Sequence, residues 1–204
     1  MRRGVSIAHL DTEDEYFHRQ DAELMEELRK RDAAEEEHRQ MAEASQIEDR
    51  KILEALERLG FTHTTVILLP LVPLVELAWI DGSVSSVERD RILALAAERA
   101  VNEYTPAYPQ LIAWLDQCPS PGFFEGTGRA MEAVFESLPA NERKARADAL
   151  VQACTEFASA SCARFGWTSR ICAAKRELLR EISRRLGGSP EAGTPKSGDP
   201  VRAA

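Results

Sequence analysis

Two carboxylates, Asp81 and Glu88, flank the short connection Asp81-Gly82-Ser83-Val84-Ser85-Ser86-Val87-Glu88. Hard divalent cations select carboxylate oxygens, so this spacing offers a site for Ca or Mg, with Asp90 or Glu76 as a third oxygen donor. The segment is not an EF-hand. Ser83 and Ser85 stand where that loop carries Asp or Asn, and no twelve-residue loop closes on a Glu. Two or three carboxylates without a full loop imply weak binding. The same residues also have structural uses. Asp81-Gly82 is a turn pair in which Gly82 takes a positive φ. Ser85 followed three residues later by Glu88 is a capping box that opens the next helix. Val84, just ahead of the cap, is placed to staple onto the turn that carries Ile92.

Other candidate constellations are weaker. Glu15/His18 and Glu35/His38 are Glu-x-x-His pairs, a spacing that di-iron bundles use from facing helices. Here both lie on one helix, twenty residues or about 30 Å apart at the α-helical rise, so one centre cannot use both. The glycine run Gly122 to Gly128 lacks the preceding strand and the Lys-Ser/Thr of a phosphate loop, and reads as a helix connection. His63, among Thr62, Thr64 and Thr65, has no nucleophile in view and reads as a helix-start residue. The four cysteines show no CxxC spacing. Cys154, Cys162 and Cys172 sit in Ala-rich helical context and read as core fillers. With no signal peptide ahead of them, free thiols in a reducing cytoplasm are expected. No Ser/His/Asp or Cys/His set assembles, and the chain is expected to be non-enzymatic.

The elements that must position these residues are helical. The chain has 204 residues, of which 44% are hydrophobic and only 6% aromatic. That is enough for one core, and no stretch alternates as a strand does. Residues 1–58 carry 17 acidic and 10 basic side chains, residues 59–140 carry 10 and 4, and residues 141–186 reverse the balance with 5 and 10. A net charge of -8 argues against nucleic acid as partner. After a flexible start at 1–11, residues 12–59 read as one long charged helix. Phe17, Leu24 and Leu28 form an apolar stripe at one end and Ile52, Leu53, Leu56 and Leu59 form another, with Gly60 as C-cap. Assembly, with a protein partner or a second copy, is expected through the first stripe. Val66 to Ile80 is the most apolar stretch, yet Pro70, Pro73 and Glu76 make it a buried helix kinked near Pro70 rather than a membrane span. Further helices are expected over 85–101, 107–118, 128–137, 140–164 and 173–186, ahead of a Gly/Pro/Ser-rich disordered tail at 187–204. Arg164, Arg170, Lys175, Arg176, Arg180, Arg184 and Arg185 form a basic face. It suits the acidic amino-terminal helix or a peripheral contact with acidic lipid.

The stretch LVELAWIDGSVSSVERDRILALA resembles the tellurite-resistance TerB family, through Ala78, Asp81, Gly82, Val84, Ser85 and Glu88. A similar module stands at the amino-terminal region of the DjlA co-chaperone. The resemblance covers about residues 62–186. It implies a compact all-α domain over 60–186 with two degenerate helical repeats, and an acidic metal site comprising Asp81 and Glu88, with Asp90 as an outer contributor. It also implies links to tellurite, metal or envelope stress and to membrane-associated complexes, without catalysis. A shift of 87 positions lays Val84 to Asp90 over Ile171 to Glu177, as a repeat requires. Asp81 then falls on Thr168, and Glu88 on Lys175.

Overall fold

The computed structural model describes residues 10–165 and 170–187, with side chains over 18–162 and 170–187. Those residues are all-α: no strand occurs among them. Helix α1 spans Leu10–Ser45, α2 Arg50–Arg58, α3 Val72–Ala78, α4 Ser86–Ala97, α5 Ala107–Asp116, α6 Pro121–Ser137, α7 Ala140–Phe165 and α8 Arg170–Leu186. Short 3₁₀ segments, Val66–Leu71 and Trp79–Asp81, flank α3.

The long helix expected over 12–59 is two helices. Gln46 takes a positive φ of 58° after Ser45, whose hydroxyl donates to the Met41 carbonyl and accepts from the Ile47 amide. Asp49 then caps α2 by accepting from the Lys51 amide. The break lets α2 turn its buried face, Ile52, Leu53 and Leu56, onto the core while Met41 and Ile47 anchor α1. Burial of each such side chain is worth roughly 1.5–3 kcal/mol. Gly60, at φ 87°, closes α2 as expected. Residues 18–36 of α1 are all exposed, so this half of a helix some 54 Å long stands off the body.

Around Pro70 the chain runs as a 3₁₀ turn and restarts as α3 with Pro73 in its first turn, where a missing N–H costs nothing. Leu68, Leu71, Leu74 and Leu77 are fully buried there. Helix α6 begins seven residues earlier than expected. Ser120 caps it and Pro121 opens it, so the glycine run is helix and not connection. Gly126 and Gly128 are there for close approach. A Cβ on Gly126 would stand 2.5 Å from Leu59 Cδ2, and one on Gly128 would stand 2.7 Å from Arg185 Nη1. Phe61, Trp114 and Phe123 join α2, α5 and α6 through ring contacts of 5.1–5.9 Å between centroids.

Candidate functional site

Asp81 ends the 3₁₀ turn that follows α3, and Gly82, at φ 86°, reverses the chain. The Ser83 amide donates to Asp81 Oδ1 at 3.3 Å, an Asx-type closure of the turn. Ser85 is extended and caps α4. Its hydroxyl accepts from the Glu88 amide at 3.3 Å and donates to Glu88 Oε2 at 2.7 Å, while the Ser85 amide donates to the same oxygen at 3.1 Å. The capping box read from the sequence is therefore complete on both arms.

Lys175, on α8, reaches the other Glu88 oxygen: Nζ lies 2.6 Å from Oε1. The two side chains are 0% and 3% exposed, so this is an ion pair inside the protein. An isolated charge at such depth would cost several kcal/mol, and each partner is tolerable only because the other is there. Burial pushes the Glu88 carboxyl up. The hydrogen bonds from Lys175 and from the Ser85 hydroxyl and amide outweigh it and hold the group below its ordinary value. Both Glu88 oxygens are used, Oε2 by two bonds from the cap and Oε1 by one from α8. The pair ties the start of α4 to α8.

None of Asp81, Asp90 and Glu76 forms a hydrogen bond or ion pair with these two side chains. Asp81 is half-buried at its turn, and Asp90 is exposed, about 200° around α4 from Glu88. Glu76 lines a separate cavity of about 80 Å³ between α3, α6 and α8, with Arg185 and Glu181 on its wall. Burial raises the Glu76 carboxyl, and Arg185 opposes the shift. Nearby, burial and the Glu76 charge push the Cys154 thiol up to about 12. Thr168, the repeat counterpart of Asp81, lies outside the described residues, as do Arg164's side chain and those of Glu15 and Phe17. Among the described residues no group of three or more His, Cys, Asp or Glu side chains is arranged to hold a metal ion.

His38 and His63 serve the base of α1. Glu37 accepts from the His63 amide at 2.6 Å and meets His63 Nδ1 at 2.7 Å. Burial raises this carboxyl, and the His63 bonds more than offset it. His38 Nε2 stands 3.1 Å from Glu57 Oε2 without hydrogen-bonding alignment.

The chain matches no family model, no curated protein and no solved structure. The site thus rests on its own geometry. Sequence reasoning placed Glu88 and its cap correctly but did not place Lys175 beside it. The 87-position shift of the sequence sets Lys175 on Glu88, and the two side chains pair. Cys162 and Cys172, expected as free core thiols, form a disulfide with Cα atoms 5.7 Å apart, joining the end of α7 to the start of α8. Cys118 and Cys154 are the free thiols. The bond removes the free-thiol premise for a reducing compartment. No helix among the described residues is long and apolar enough to cross a membrane.

Proposed function

We propose that the chain is a non-enzymatic, TerB-like interaction module that self-associates through α1. The observation that carries this reading is the projecting half of α1, where Leu24, Met25 and Leu28 are 57%, 52% and 44% exposed. Apolar side chains held in water along a pre-formed helix favour burial against a partner helix. In this reading the Asp81–Glu88 segment is a structural lock. Lys175 supplies the positive charge that a divalent cation supplies in the family resemblance, and the weak Ca or Mg site at Asp81, Glu88 and Asp90 is not formed. A link to tellurite, metal or envelope stress follows from the resemblance alone.

Sedimentation equilibrium of the full chain tests the association. The expected result is a mass rising with concentration above the 22.7 kDa of one chain, and a return to that mass in Leu24→Glu/Leu28→Glu. Residues 1–58 carry seven more acidic than basic side chains (17 against 10), so two such helices repel, and added salt strengthens the association. A wild-type chain that stays at the monomer mass at every concentration and salt overturns the reading.

A further inference from the structure

A groove of about 580 Å³ lies between the end of α1, the 3₁₀ segment before α3, and the facing halves of α6 and α7. Small-molecule sites typically hold about 300–1,000 Å³. Its walls include Ile47, Val66, Leu69, Phe135, Leu138 and Leu150, and its lining holds two cations, Arg99 and Arg146, and no carboxylate. Arg99 Nη1 donates to the Leu95 carbonyl one turn back, at 3.0 Å, and enters no ion pair among the described residues. Arg146 has only a loose 3.6 Å contact with Glu142, both side chains about half exposed. Ser45, the remaining polar side chain of the lining, is already satisfied in both directions. The occupant that fits has an apolar body, one anionic head and no further polar groups to satisfy.

We infer that this groove binds a long-chain carboxylate, a free fatty acid, with its chain along the apolar walls and its carboxylate between Arg99 and Arg146. Guanidinium groups suit a planar carboxylate because they donate in a fork. An extended peptide is disfavoured, since its buried N–H and C=O groups would find no partners on these walls. The exposed patch of a second copy is disfavoured by geometry. Ala44, on the groove, lies about 160° around α1 from both Leu24 and Leu28 at 100° per residue. In a two-fold antiparallel pair of α1 helices the groove and the patch therefore face opposite ways. The groove is a surface distinct from the one used in self-association.

The test is calorimetric titration of the full chain with dodecanoate below its micellar concentration, alongside hexanoate, dodecyltrimethylammonium and anionic phospholipid vesicles. The expected result is one saturable dodecanoate site per chain, with hexanoate weaker by at least tenfold and the cationic amphiphile silent. Arg99→Gln/Arg146→Gln weakens dodecanoate at least tenfold with the unliganded melting midpoint unchanged, and Ala149→Trp, which fills the groove from its exposed edge, abolishes binding. The chain-length series needs no variant and stands if either substitution lowers stability. Absence of saturable binding, equal binding of the cationic amphiphile, or a double variant with wild-type affinity overturns the inference. Vesicle binding without dodecanoate binding also overturns it, in favour of a membrane surface.

Discussion

Removing one partner of the Glu88–Lys175 pair is the most informative perturbation of this fold. In Glu88→Gln the amide retains cap chemistry with Ser85, but Lys175 is left as a fully buried ammonium without a counter-charge. Breaking a buried pair from one side typically costs about 3–5 kcal/mol. Lys175→Met removes the charge from the other side and leaves Glu88 with only the Ser85 hydroxyl and amide. Its cost has the same order, reduced to the extent that the carboxyl takes up a proton. At about 2–4 °C per kcal/mol for a domain of this size, each single variant should melt roughly 6–20 °C lower than wild type. The double variant Glu88→Gln/Lys175→Met buries no charge and replaces the pair with groups of similar volume. Such replacements run from neutral to about 1–4 kcal/mol stabilising, so the double variant should regain most of the loss. Urea denaturation with linear extrapolation gives the three differences and hence the coupling energy. Single variants within about 1 kcal/mol of wild type, or losses that simply add in the double variant, would refute the buried pair.

Acid sensitivity follows from the same pair. A carboxyl held below its ordinary value contributes stability that is complete above its unfolded value, 4.5, and is lost as pH falls through the folded one. Wild type should therefore lose stability as pH falls below about 4.5, whereas Lys175→Met, in which burial of Glu88 is no longer opposed by the lysine, should show a shallower acid loss; coincident acid limbs would contradict this. Ser85→Ala removes a cap and one of the bonds to Glu88 and should cost about 1–2 kcal/mol in chemical denaturation. Gly126→Ala forces a methyl into Leu59 and should melt below Gly128→Ala, whose methyl meets only the mobile end of Arg185; overpacking costs about 1–3 kcal/mol, against a helix-propensity gain near 1. Under a chromogenic disulfide reagent without reductant, the folded chain should show one reactive thiol, Cys118. Unfolding should expose Cys154 as the second, and full reduction should raise the count to the chain's four cysteines. Two extra thiols before reduction would rule out the Cys162–Cys172 bond.

The all-α architecture was legible because its punctuation is local. Prolines at 70, 73 and 139, the Ser85 cap and the Gly60 and Gly82 reversals each act within a turn of their own position. Two boundaries were not legible. The stop after Ser45 depends on Gln46 in a left-handed conformation, which no propensity marks, and it is stable only because Met41 and Ile47 dock on the core. The start of α6 passes through three glycines that are poor helix formers, and at Gly126 and Gly128 Leu59 and Arg185 occupy the space a side chain would need. At the site, Glu88 and its cap were readable since they lie three residues apart. Lys175 and the Cys162–Cys172 bond are long-range or turn-dependent facts. They follow from how α8 folds back along α7, and in the sequence only an 87-position shift set Lys175 on Glu88.

The central claim about the site is that the cation facing Glu88 is Lys175. The most direct measurement is the melting midpoint of EDTA-treated chain with and without excess Ca²⁺, Mg²⁺, Mn²⁺ and Zn²⁺. A ligand bound only by the folded state raises stability by RT ln(1 + [L]/Kd), about 2.7 kcal/mol at a hundredfold excess over Kd. The same midpoint is expected in all five conditions, because the acid is already neutralised from within. A rise of several degrees with one cation, abolished in Asp81→Asn, would contradict it.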